Sequence, residues 1–179
     1  ANLSSGPMTN WDTSLYHLQG VRWARMYPAV PGLANLFGPL GFNNATFLYD
    51  AMLDAGPWGG RAWHVANGLI VLALVAQALV SGARIVSQPA TASAADLFPF
   101  LLLAPALDMA VSAHLTSYVP DLALTAVRFA AIAVWFRFLL RRDGEASSNA
   151  YDIGCIVALS STAVAIKMNA VVFAGAMVA

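Results

Sequence analysis

Long apolar runs separated by short polar linkers set the terms for this chain. They lie at about 64–81, 97–114, 122–140 and 153–166, and a last run begins near 170 and continues to 179. A helix needs about 20 mainly apolar residues to cross about 30 Å of hydrocarbon. The first three runs approach that length, while 153–166 spans only about 21 Å as helix. Of the 179 residues, 59% are hydrophobic and 10% charged, against about 25% charged in soluble domains. So much apolar surface does not fit one small globular core, and a bilayer is its natural solvent. The expectation is an all-α, polytopic membrane protein with four to five spans in residues 63–179.

Residues 1–62 read differently. They are mixed in character and rich in turn signals, among them Gly6-Pro7, Pro31-Gly32, Gly38-Pro39 and Gly56-Pro57. Two short helices are expected there, one from Asp12 to Met26 and one capped by Asn43 or Asn44 and running to Asp54. Neither is long enough to cross a bilayer, so both read as interfacial helices with Trp and Tyr at headgroup depth. The chain begins at Ala1 without a signal segment and ends inside an apolar run, so a preceding span and further following spans are expected.

Arg84 and the Arg137, Arg141 and Arg142 cluster flank alternate linkers, which puts that side in the cytoplasm. Residues 1–62 and the Ser117–Asp121 turn then share the extracytoplasmic face; Arg22, Arg25 and Arg61 count against this orientation. Basic and acidic residues balance at nine each, so there is no nucleic-acid footprint. The lone Cys155 lies in an apolar run and reads as a small packing residue.

The densest chemistry lies at 10–25, where Asp12, Tyr16, His17, Arg22 and Arg25 sit among aromatic residues. On a helix Asp12 and Tyr16 share a face and His17 lies one step round. Asp12 can act as general base or hold a divalent cation; the plain alternative is a helix cap. No second His stands at metal spacing, and no zinc pattern, phosphate-cradling glycine loop or nucleophile elbow is present. Asp121 opens the third run, with Thr125 and Arg128 on the same helical stripe, and is either a second outer carboxylate facing the Asp12 pocket or a cap following Pro120.

Ionisable residues within spans usually face an interior or a partner. Asp108 lies about 9 Å before the end of its run and Arg128 about 10 Å into the next. In a tight antiparallel hairpin they reach similar depth, so they are expected to pair or to line one polar cavity. Lys167 interrupts the last apolar region, where it either binds an anionic headgroup or phosphate or snorkels to an interface.

Four stretches carry a family resemblance: W-D-T-S-L-Y-H-L-Q-G-V-R-W at 11–23, Y-P-A-V-P-G-L-A-N-L-F-G-P-L-G-F-N-N-A-T-F at 27–47, W-H-V-A-N-G at 63–68 and S-Y-V-P-D-L-A-L at 117–124. They resemble the first extracytoplasmic loop and neighbouring spans of a family of bacterial polytopic membrane proteins. That family is similar to the GT-C-type glycosyltransferases, which take sugars from polyprenyl-phosphate-linked donors. The resemblance implies transfer of a sugar to a glycan or lipid acceptor of the cell envelope, in the inner membrane. By position it makes Asp12 the catalytic base and Asp121 a second catalytic carboxylate. Tyr16, His17, Arg22, Asp108, Arg128 and Lys167 are the candidate substrate-binding residues, with Arg128 or Lys167 on the donor phosphate. There is no Asp-x-Asp pair, so no cofactor is required by the pattern, and a divalent cation stays open. Two rivals fit the same residues: a non-catalytic transporter or flippase-like protein for lipid-linked glycans with Asp108 and Arg128 along its path, or a structural subunit of a membrane complex.

Overall fold

The computed structural model describes residues 6–140 and 146–178, with the side chains of 113, 114 and 146–149 left aside. The Arg141 and Arg142 part of the basic cluster lies outside the described residues. Those residues form helices and turns and contain no strand. In chain order the helices are α1 (Leu18–Met26), α2 (Leu33–Leu36), α3 (Thr46–Ala55), α4 (Ala66–Ser87), α5 (Ala94–Leu101), α6 (Leu103–Val111), α7 (Pro120–Leu139), α8 (Ala146–Ile166) and α9 (Val171–Val178). Among the described residues, three stretches are long and apolar enough to cross a membrane: Ala62–Ser87, Ala94–Val111 and Pro120–Leu139.

The two short helices expected in residues 1–62 are present, with altered starts. A π-helical turn, Thr13–His17, leads into α1. Its cap is Asn10, whose Oδ1 accepts the Thr13 backbone N–H at 3.1 Å. Asp12 has helical dihedrals and makes no side-chain cap bond. Asn44 caps α3, its Oδ1 accepting both the Thr46 N–H at 3.2 Å and the Thr46 hydroxyl.

The second apolar run is two helices rather than one. Pro105 has no N–H to offer the carbonyl four residues back, so the ladder breaks beside Leu101 and restarts after Leu102. α6 then packs on α4. This geometry removes the expected tight hairpin with α7. A 3₁₀ turn at Ala113–Thr116 and an extended Ser117–Val119 segment intervene before Pro120 starts α7.

Three apolar clusters join these parts. Val21, Ala51, Ala62 and Tyr118 seal α1 and α3 against the 117–119 segment. Val71, Leu115 and Leu122 join α4 to the start of α7. Ala123, Leu124, Ala163, Ile166 and Ala170 join α7 to α8 and its continuation. Lys167 adopts extended dihedrals and ends α8, and a short 3₁₀ turn then leads into α9.

Candidate functional site

Polar side chains of the family-like stretches hold the loop region onto the helix ends. Ser117 Oγ accepts the backbone N–H groups of Thr9 at 3.3 Å and Asn10 at 3.2 Å. The buried Asn67 amide donates to the Ser117 carbonyl at 2.7 Å, and the Thr116 hydroxyl donates to the Pro7 carbonyl at 3.0 Å. Asn43 Nδ2 donates to the carbonyls of Val164 at 2.7 Å and Ala165 at 3.2 Å, and Ala45 N–H also reaches Ala165. The last carbonyls of a helix have no partner within it, and here the 43–45 loop supplies them for α8.

This docking closes a cavity of about 350 Å³ among the π turn, the 39–47 loop, the start of α7 and the end of α8. Five sequence-predicted residues line it together: Asp12, Tyr16, His17, Asp121 and Lys167. Asn10, Asn43 and Asn44 add amides to its wall. Asp12 and Asp121, remote in sequence, therefore face one pocket. Lys167 Nζ donates to Asp121 Oδ1 at 2.5 Å. Asp121 is in the first turn of α7, where a carboxylate is favoured by the helix dipole, while Val119 occupies the cap position.

The π turn sets the neighbouring rings. Such turns are rare and recur at functional sites. Tyr16 and His17 meet edge to face with centroids 4.3 Å apart, and His17 lies 5.3 Å from the Phe47 ring. Only 3% of His17 is exposed, and its Nδ1 is buried without a hydrogen-bond partner. Burial lowers the His17 pKa, against the opposing pull of Asp12 and a backbone hydrogen bond to Tyr118, so the ring is neutral at pH 7. Burial, then the negative charges of Asp12 and Asp121, raise the Tyr16 pKa and keep its phenol protonated.

Three predicted site residues stand elsewhere. Arg22 is exposed on α1 and does not line the cavity. Asp108 is exposed on α6. Arg128 holds its guanidinium 5.6 Å from the centre of the Phe173 ring, with Nε buried and lacking a hydrogen-bond partner. The expected Asp108–Arg128 pair is not formed, because α6 lies along α4 instead of beside α7. Among the described residues, no group of three or more His, Cys, Asp or Glu gathers as a metal site.

Two carboxylates of α3 escaped the sequence reading. Asp50, on α3, is 5% exposed, and burial pushes its pKa up to about 8. Asp54, one turn on, accepts Arg25 Nη1 at 2.8 Å. Their spacing on α3 put them on one face, which is the only signal the sequence offered.

No curated protein and no solved structure matches the chain. A family model described as a domain of unknown function, DUF8201, matches residues 1–178. The chain, whose loop and helix ends build this cavity, therefore belongs to the DUF8201 family.

Proposed function

We propose that this chain transfers a sugar from a lipid-phosphate-linked donor to a cell-envelope acceptor, in the manner of GT-C-type transferases. In this reading it is a multi-pass protein of the bacterial inner membrane with residues 1–62 extracytoplasmic and four to five spans. The observation that carries the proposal is the meeting of two unlike spaces. Beside the polar cavity runs an apolar groove of about 300 Å³, lined by Ala45, Tyr49, Ile70, Ala123, Val127 and Ile166 among others. Asn44 lines the cavity and Ala45 the groove; Lys167 lines the cavity and Ile166 the groove. A lipid-linked sugar has the same division, with an apolar chain, a phosphate at the boundary and a polar sugar beyond.

Roles follow from position. The acceptor hydroxyl oxygen attacks the anomeric carbon, and the bond from that carbon to the phosphate oxygen breaks, its electron pair leaving with the phosphate. Asp12 orients the hydroxyl and takes its proton. Lys167, at the junction, offsets the charge gathering on the leaving phosphate. Asp121 faces the positive charge developing at the sugar, with the Tyr16 phenol beside it in the cavity wall. Arg22, Asp108 and Arg128 lie outside the cavity and have no part in the step.

The test is to supply a polyprenyl-phosphate sugar, isotopically labelled in the sugar, to proteoliposomes with an envelope-glycan acceptor. Label covalently joined to acceptor, with release of polyprenyl phosphate, supports transfer. Intact donor carried across the bilayer would make the chain a transporter, and no turnover of either kind would leave a structural subunit.

A further inference from the structure

A second pocket lies at the other end of the helices, remote from the polar cavity. It encloses about 360 Å³ between the last turns of α4 and α7 and the first turns of α5. Two arginines face it. Arg84 is on the last turn of α4 and Arg137 on the last turn of α7. Each is tied to a buried aspartate. Arg84 Nη1 lies 3.2 Å from Asp96 Oδ1, and Arg137 Nε lies 3.1 Å from Asp152 Oδ1. Asp96 is itself fixed, its Oδ2 accepting the Ser93 backbone N–H and hydroxyl at 3.2 Å each. Gly82 lets the Phe100 ring approach α4, where an added Cβ would stand 2.8 Å from Phe100 Cδ2.

An arginine near a span end ordinarily snorkels into water. Here the aspartates hold both guanidiniums at the pocket. A guanidinium carries five N–H donors in a planar fork, and the aspartates engage only some of them, leaving others for a bidentate anion such as phosphate. Both arginines sit within three residues of their helix ends (Ser87 and Leu139), at headgroup depth for helices that cross a bilayer.

The pocket continues inward. An apolar slot of about 320 Å³ lies between α4, the end of α5, α7 and α8 and includes Leu74, Leu102, Phe129 and Leu159. The two spaces share Gln77, Pro99, Ala130 and Ala133. A soluble anion would use the arginines and leave the slot unfilled, whereas a phospholipid matches both.

We propose that this pocket binds an anionic phospholipid, with both guanidiniums on its phosphate and an acyl chain in the apolar slot. Basic pockets between membrane helices take anionic headgroups in this way. The site is independent of the sugar-transfer reading and needs no residue of the polar cavity.

Native mass spectrometry of the intact protein in detergent tests it, with phosphatidylglycerol as probe, phosphatidylcholine as the zwitterionic control and inorganic phosphate as competitor. We expect phosphatidylglycerol to be retained on the order of tenfold more than phosphatidylcholine. Ala130→Phe, which fills the slot and spares both ion pairs, should release the lipid. Arg84→Lys with Arg137→Lys keeps the charges and loses the forks, so it should weaken retention several-fold. Equal retention of the two lipids by the wild-type protein, displacement by inorganic phosphate, or undiminished binding by Ala130→Phe would each overturn the proposal.

Discussion

Lys167 and Asp121 form an ion pair across the polar cavity, with Nζ and Oδ1 2.5 Å apart, and join the end of α8 to the first turn of α7. Both side chains are partly exposed, at 34% and 62%, so solvent screening limits the pair to under about 1 kcal/mol of stability. Its importance is position. It places a cation where the polar cavity meets the apolar groove, and it holds a carboxylate opposite Asp12.

Lys167→Gln should therefore leave folding almost unchanged and weaken use of a lipid-phosphate donor. We expect a melting temperature within a few degrees of wild type and a rise in donor KM of about tenfold, as for one lost charge-assisted contact. A donor titration checks this. A donor KM equal to wild type would remove Lys167 from the phosphate site.

Asp50 should give stability a pH dependence of identifiable sign. Buried Asp50 keeps its proton up to about pH 8, whereas an unfolded chain releases it near the ordinary carboxylate value. Between those values the folded state binds more protons, so stability falls as pH rises, by at most about 1.4 kcal/mol per pH unit. Below the unfolded value both states are protonated and the penalty is absent. Asp50→Asn mimics the protonated form and should flatten this slope, raising stability most at alkaline pH. Thermal melts of both proteins at pH 5 and pH 9 measure it; parallel curves would show that Asp50 does not titrate in this window.

Gly20 allows α1 to lie against α3. A Cβ there would stand 2.7 Å from Phe47 Cε2 and 2.8 Å from Phe47 Cδ2. Phe47 also lines the cavity and packs on His17. Gly20→Val should destabilise the protein by about 1–3 kcal/mol through overpacking, and adding Phe47→Leu should recover part of the loss. A double-mutant cycle from denaturant melts reads the coupling. Strict additivity would mean that the ring does not set the spacing.

The sequence made the helical class, the apolar runs and the polar loop legible, because each leaves a local mark in composition and periodicity. It also marked Asp12, Tyr16, His17, Asp121 and Lys167, which the fold gathers around one cavity. What stayed hidden was non-local or left no pattern. The cap at Asn10 was masked by Asp12, a residue of equal capping propensity two places on. The π turn has no compositional signature. Asp50 reads as an ordinary helix residue until Tyr118 and the rest of the 117–119 segment seal α1 and α3 around it. Asp108 and Arg128 were matched in depth on the assumption of a tight hairpin. Pro105 and the docking of α6 on α4 removed that assumption.

Asp12 bears the central claim, and its exposed carboxylate can be changed without touching a cap or an ion pair. The decisive measurement is transfer of labelled sugar from a polyprenyl-phosphate donor by Asp12→Asn in proteoliposomes, alongside its melting temperature. We expect an unchanged melt and a loss of transfer of about 10²-fold or more, as for removal of a general base. Wild-type transfer by Asp12→Asn would contradict the proposed mechanism.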